Sequence, residues 1–261
     1  MSLAQQLESL IQEGGMPPER QMGRSGLTLA RITNVTDPDK LNRVKCLPIG
    51  VPEAEETDWC YFMSPMGGKG CGVYFPPHVD DLAVLGYLDD DPHRPVVLGS
   101  IWNTELTPPF TIQEGKVEDY AIRTPQKIDL TFHDEEAKQT VTLTMPSGVV
   151  LKLDDENQTA ALQDKDGKNA LTLNFKTGEG TLCCEKKLTL SAGQTTITLE
   201  SSGNLTMKCS GKLSMEGASI AGKAQGQLAL QGATASVKGD GTLELSASGS
   251  TTLKGGIVKI N

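Results

Sequence analysis

The sequence predicts an all-β protein in two parts, a small N-terminal barrel followed by a long C-terminal β-helix. Three observations carry this expectation. Residues 27–102 break into five short apolar stretches separated by turn residues. Aromatic residues stop at Phe175 and prolines at Pro146, while Gly, Ser, Thr and Ala become frequent beyond them. From Lys187 onward, apolar residues recur in pairs two positions apart, at intervals of 7, 8 or 9 residues.

The barrel elements follow in order. Leu27-Thr28-Leu29-Ala30-Arg31-Ile32 alternates apolar and polar, as a half-buried strand does. Asp37-Pro38-Asp39-Lys40-Leu41-Asn42 is a turn, and Arg43-Val44-Lys45-Cys46-Leu47 alternates again. A third strand is expected from Asp58 to Met63, around Trp59. Gly67-Gly68-Lys69-Gly70 is a loop, followed by a short strand through Val73 and Phe75. A last hairpin joins Ala83–Leu88 to Val96–Ile101 across Asp89-Asp90-Asp91-Pro92. Five short strands in so few residues suit a compact five-stranded barrel.

Residues 1–26 form an N-terminal arm. Leu3, Leu7, Leu10 and Ile11 share one helical face, and Gly14-Gly15 ends the pattern. Two readings stay open for it, a floppy arm or a short helix docking on a partner or on the barrel. Residues 103–120, with Pro108-Pro109 and Gly115, read as a connector. Residues 121–186 form a strand-rich neck, with strands at Ile128–Phe132, Val141–Met145, Val149–Leu153, Ala160–Gln163 and Ala170–Phe175. Turns fall at Ser147-Gly148, Asp154-Asp155-Glu156-Asn157, Asp166-Gly167 and Thr177-Gly178.

Residues 187–261 carry the repeat. Its pairs are Leu188/Leu190, Ile197/Leu199, Leu205/Met207, Leu213/Met215, Leu228/Leu230, Ala235/Val237, Leu243/Leu245, Thr251/Leu253 and Val258/Ile260, with an incomplete pair at Ile220. Residues i and i+2 of a strand face the same side. A strand of about five residues with a turn of about three therefore turns two apolar side chains toward one axis per octad. The expected interior is Leu188, Leu190, Ile197, Leu199, Leu205, Met207, Leu213, Met215, Leu228, Leu230, Leu243, Leu245 and Leu253. A helix would require spacing near 3.6 residues and tolerates this much Gly poorly.

Two windings fit a short, sustained period. One chain coiling alone would complete only about three rungs. Three intertwined chains, each laying one octad per level on a triangular prism, would reach about ten levels, or roughly 50 Å at the inter-strand spacing. The three-chain winding is preferred, because a three-rung solenoid exposes both ends and buries little. A narrow triangular interior also accounts for the absence of rings.

Composition narrows the function. The formal charge is −9. Residues 187–261 hold seven Lys and four acids, a net of +3, so the remainder carries −12. An acidic barrel with few stacking aromatics argues against nucleic acid as a partner. No apolar run approaches the length of a membrane-spanning helix, and no secretory leader is recognisable. Synthesis and assembly in the cytoplasm are therefore expected. The six cysteines show no C-x-x-C spacing and read as reduced, half-buried thiols. Asp89, Asp90, Asp91 and His93 could be drawn as a metal site, but the Asp91-Pro92 turn explains them without one. Every Asp or Glu pair sits in a turn signal with no apolar pocket to raise a pKa, so no glycosidase pair stands out. Gly67-Gly68-Lys69-Gly70 lacks the spacing and following helix of a phosphate loop. No cofactor, metal or catalytic residue is expected.

Several motifs resemble one family. Asp37-Pro38 with Asn42-Arg43-Val44-Lys45-Cys46-Leu47-Pro48 resembles the barrel opening of baseplate assembly protein V of contractile-tailed phages. Trp59 with Pro65-Met66-Gly67-Gly68-Lys69-Gly70, Pro77-His78-Val79-Asp80-Asp81-Leu82-Ala83-Val84 and Arg94-Pro95-Val96-Val97-Leu98-Gly99-Ser100 are similar to its later segments. The C-terminal octads resemble those of type VI secretion valine-glycine repeat proteins. Asp80 departs from the family's usual Gly. The resemblance implies an OB-fold barrel and a homotrimeric triangular β-helix that acts as a non-enzymatic spike in a phage tail or phage-tail-like particle. It also implies a separate baseplate hub protein at the barrel end, and transient contact with a target-cell envelope at the other. Neither a lysozyme-like insertion nor a His-x-His metal tip is encoded, so a small conical tip protein of the proline-alanine-alanine-arginine repeat class is expected on Ile257, Val258, Ile260 and Asn261. The alternative is a monomeric β-solenoid that binds or degrades polysaccharide, through an acidic groove with aromatic platforms.

Overall fold

A computed structural model describes residues 26–260. The helix expected over residues 1–14 lies outside the described residues, and so does Asn261. The chain divides into two compact units that meet between Glu185 and Lys186.

The first unit opens with the barrel. Its strands are β1 (Thr28–Asn34), β2 (Lys45–Pro48), β3 (Tyr61–Phe62), β4 (Gly67–Gly68), β5 (Cys71–Gly72), β6 (Leu82–Tyr87) and β7 (Pro95–Ser100). Five of them form one sheet in the order β2-β1-β6-β7-β3, in which β3 runs parallel to β7. An antiparallel bridge between Val44 and Cys60 joins the two edges, with reciprocal backbone hydrogen bonds of 2.9 Å each way. The sheet thus closes on itself, which removes both open edges.

Alternation decides what fills the barrel. Ala30 and Ile32 from β1, Val44 and Cys46 at β2, Cys60 at the seam, Ala83 and Leu85 from β6, and Val97 from β7 form the buried core. Phe62 and Tyr87 pack against it. The expected half-buried thiols separate into two kinds. Cys46 and Cys60 are buried in this core, whereas Cys71, Cys183, Cys184 and Cys209 are exposed. Cys46 points inward because it lies two residues from Val44 on an alternating strand.

A polar clasp holds the β1–β2 turn. The Asp37 carboxylate accepts hydrogen bonds from the backbone N–H groups of Asp39, Leu41 and Arg43, and a bidentate pair from the Arg43 guanidinium at 3.0 and 2.8 Å. The Arg43 pairing holds the Asp37 carboxyl far below the ordinary carboxylate range. Arg43 and Lys45 both lie over the Trp59 ring, at 6.0 and 5.5 Å from its centroid.

The strand expected through Val73 and Phe75 is not formed. The chain instead makes the small β4–β5 hairpin, and residues 73–78 are irregular. Gly72 sits at φ 153°, and a Cβ there would lie 2.5 Å from the Met66 carbonyl oxygen. Pro76 and Pro77 follow and supply no ladder donors. The strand expected from Asp58 to Met63 shortens to Tyr61–Phe62, with Cys60 in the closing bridge.

The same unit contains a seven-stranded antiparallel meander: β8 (Asp119–Arg123), β9 (Asp129–His133), β10 (Thr140–Thr144), β11 (Val150–Asp154), β12 (Thr159–Gln163), β13 (Ala170–Asn174) and β14 (Glu179–Cys183). The turn between β10 and β11 needs glycine. Gly148 has φ 87°, and a Cβ there would lie 2.9 Å from that of Lys165. β8 begins inside the stretch expected to be connector.

The second unit begins with an antiparallel meander of β15 (Lys187–Ala192), β16 (Thr195–Glu200) and β17 (Leu205–Lys208). The first three octads therefore fold back on one another through hairpin turns, at Gly193 (φ 55°) and Gly203 (φ 88°), and not as successive levels of a coil. Residues 209–260 contain no strand and are exposed throughout. No helix among the described residues is long and apolar enough to cross a membrane.

Truncating Ile32, which is fully buried in the barrel, should cost about 2–5 kcal/mol by the usual cavity penalty. Urea unfolding of Ile32→Ala, followed through Trp59 emission, should show a lower midpoint with an unchanged slope.

Candidate assembly surface

Register turns the seven-stranded sheet into two chemically opposite faces. On one face, Tyr120, Phe132, Val141, Leu153, Ala160, Leu173 and Gly180 stand opposite one another in sequence across the strands. Two residues along each strand, Ile122, Leu130, Leu143, Leu151, Leu162, Leu171 and Leu182 form a second column. Every position but Gly180 is apolar, and the face carries no charge. Adjacent columns of large aliphatics at this spacing pack on whatever covers them.

The other face is polar and internally paired. Arg123 makes a bidentate pair with Asp129, directly opposite it, at 2.6 Å for both bonds. His133 Nδ1 lies 2.7 Å from the Asp119 carboxylate, its partner in register. Lys152 donates to Asp154 at 2.8 Å, and Thr131, Thr142, Thr172 and Thr181 continue across the centre. The Lys152 ammonium is the main cause that lowers the Asp154 carboxyl, to about 2. Hydrogen bonding to Asp119, aided by Glu135, raises the His133 pKa.

Burial runs opposite to the polarity. Leu151 and Leu153 are 45% and 50% exposed, while Val150, Lys152 and Asp154 on the other face of the same strand are half-buried. The apolar face is thus more open than its polar reverse. At one end it deepens into an open groove of about 900 Å³, where Tyr120, Phe132, Leu153 and Phe175 meet Asp154 and Asp155.

The second unit repeats the design on a smaller scale. Leu188, Leu199 and Leu205 align in one column, and Leu190, Ile197 and Met207 in the next. Thr189, Thr198 and Thr206 line the reverse. These six are the first of the residues expected inside the needle; within one chain they share a face but enclose no core. Leu213, Met215, Leu228, Leu230, Leu243, Leu245 and Leu253 are exposed, outside any strand. Ile257, Val258 and Ile260, expected beneath a tip protein, are exposed too.

Sequence reading missed that the neck obeys the same rule as the octads. Its pairs, Tyr120/Ile122, Leu130/Phe132, Val141/Leu143, Leu151/Leu153 and Leu171/Leu173, are also two apart, but at longer intervals. That signal was available. Strand β14 escaped because only Leu182 in it is a large aliphatic.

The acidic hairpin before β7 is a turn network. Asp89 and Asp90 adopt φ 57°, Asp89 pairs with Arg94, and His93 Nδ1 lies 3.2 Å from Asp58. Among the described residues, no group of three or more His, Cys, Asp or Glu side chains is placed to hold a metal ion.

The chain is thus a β-rich protein in which a closed five-stranded barrel is followed in sequence by open, one-sided antiparallel sheets. Comparison with known families makes this specific: residues 28–102 match the type VI secretion system/phage-baseplate injector OB domain. The resemblance to the baseplate spike family is thereby borne out over the barrel. No curated protein matches the chain.

Because its folded pKa is raised, His133 contributes stability that is fully present below its ordinary value near 6.5 and is lost as pH rises through the higher folded value. Hydrogen-exchange protection of residues 119–123, corrected for intrinsic rate, should exceed that of His133→Gln roughly two- to fivefold at pH 5.5, the scale of an exposed ion pair. The difference should vanish by pH 9.

Proposed function

We propose that this protein is the spike of a contractile injection system: a non-enzymatic homotrimer beneath the baseplate hub that punctures the target envelope. The observation that carries the reading is the uncovered two-column apolar face of residues 119–183. Its pattern returns at 187–208 and continues as octad pairs to the C-terminus. A face of this size is unfavourable in water, since each large aliphatic gains about 1.5–3 kcal/mol on burial. Three copies placing these faces on a common axis would bury them together and leave the charged reverse faces outside. The injector-family barrel supports the baseplate setting. Beyond residue 208, octads that pair with other chains would account for the absence of in-chain partners.

In such a particle, sheath contraction drives the tube forward and the spike transmits the force. Strands interleaved between chains suit this role, because extracting one chain breaks a continuous backbone ladder. The far end would present open strand edges, which proteins normally cover. A conical tip protein on Ile257, Val258, Ile260 and Asn261 would provide that cover, and the hub would take the barrel end.

A second reading, a one-chain polysaccharide binder, has one observation in its favour: the groove with Tyr120, Phe132 and Phe175 beside Asp154 and Asp155. Mass in solution separates the two. Light scattering should give about three times the single-chain mass of 27.8 kDa; a value near 27.8 kDa, with oligosaccharide binding, would establish the second reading instead. Leu153→Lys with Leu173→Lys should reduce the assembly to single chains while Trp59 emission keeps its folded signature. Deleting residues 257–261 should abolish capture of the tip protein, and unchanged capture would remove that partner from the proposal.

A further inference from the structure

The barrel wall carries an apolar band that neither its core nor the sheet assembly uses. While Ala30, Ile32, Cys46, Ala83 and Leu85 point inward, alternation sends Leu27, Leu29, Leu47, Ile49, Val84 and Leu98 outward. The Ile49 N–H donates to the Leu29 carbonyl at 2.8 Å, Leu29 is paired with Val84, and Val84 with Gly99 beside Leu98. Leu98 leans across Gly86, where an added Cβ would lie 3.3 Å from its Cδ1. The row Ile49, Leu29, Val84 and Leu98 therefore runs from the end of β2 across β1 and β6 to β7, while Leu47 lies beside it, opposite Arg31. Leu27, at the point where the chain enters the barrel, is 70% exposed, and Leu29, Leu47 and Ile49 are 42%, 40% and 46% exposed.

We propose that this band is the docking site for residues 3–11 of the same chain. Leu3, Leu7, Leu10 and Ile11 fall on one face of a helix. From Leu3 to Ile11 that face would extend about 12 Å at the helical rise. Three strand intervals span roughly 14 Å, so one short helix laid across the strands matches the band. The connecting stretch, residues 12–26, reaches at most about 50 Å when extended. It enters the barrel at Leu27, the edge of the band itself, so the segment is held at high effective concentration there. Residues 1–14 contain Glu8 and Glu13 and no Lys or Arg; the exposed Arg31, 3.8 Å from Asp80, borders the row on β1, whereas Lys45 on β2 is already paired with Glu56. So short a helix is marginal alone and gains its order from the surface it covers.

The test is photo-cross-linking of the purified full-length chain with p-benzoylphenylalanine in place of Leu7. The expected product migrates as a single chain in denaturing gels, with the probe attached at Leu29, Leu47 or Ile49 by peptide fragmentation. Leu29→Ser with Ile49→Ser should lower that yield at least tenfold while Trp59 emission shows the barrel still folded. A product joining two chains would assign the segment to a second copy. Attachment elsewhere on the barrel, or a yield unchanged by the double substitution, would equally overturn the proposal. The experiment does not depend on the spike reading, because it is scored within one chain.

Discussion

A β-sheet with one wholly apolar face has to be covered, and that constraint governs most of this protein. In the barrel the sheet covers itself. Closure through Val44 and Cys60, extended by the Thr57 N–H donating to the Cys46 carbonyl at 2.8 Å, turns the inner face of five strands onto a single small core. In residues 119–183 the same alternation produces an inner face that is never closed. Seven strands lie side by side, and nothing within their own meander folds over Leu151, Leu153, Leu162 or Leu171. The two solutions differ in strand pairing and not in chemistry.

Polar contacts act mainly to choose among registers. Asp37 gathers three backbone N–H groups and the Arg43 guanidinium, which fixes how β1 turns into β2 and therefore which residues face inward. Arg123–Asp129 and His133–Asp119 are direct cross-strand partners. A slip of one residue between β8 and β9 would separate both pairs and carry Tyr120 and Ile122 to the polar side. Such exposed pairs add little stability individually; their value is in penalising the wrong register. The apolar columns reinforce the same choice, since they align in only one pairing.

Much of the barrel and the repeat was legible because both depend on period-two patterning. The inward set Ala30, Ile32, Val44, Cys46, Ala83 and Leu85 follows from alternation, and so do the pairs Leu188/Leu190 and Ile197/Leu199. Failures came where backbone geometry overruled side-chain pattern. Val73 and Phe75 have strand-like side chains, but only Val73 continues the β4–β5 hairpin, donating to the Met66 carbonyl at 2.9 Å, and the two prolines after Phe75 supply no ladder donors. β14 is a strand despite a weak pattern, because β13 offers it an unpaired edge. The apolar face of the neck was half legible: apolar pairs in the neck could be seen, but their alignment into columns could not, since alignment depends on which residues stand opposite across seven strands.

What the amino-acid sequence determined by itself is therefore local: strand character, the positions of turns, the two-apart pairing of apolar residues and the segregation of charge. These follow from bond geometry and side-chain transfer to water, which act over a few residues. Only the tertiary structure decided that β3 returns parallel to β7 and meets Val44 to close a barrel. Likewise, it alone decided that Cys46 and Cys60 share its core and that the neck presents one continuous uncovered face. Each of these requires segments distant in sequence to be brought into register, and no local preference encodes which distant partner satisfies a given edge.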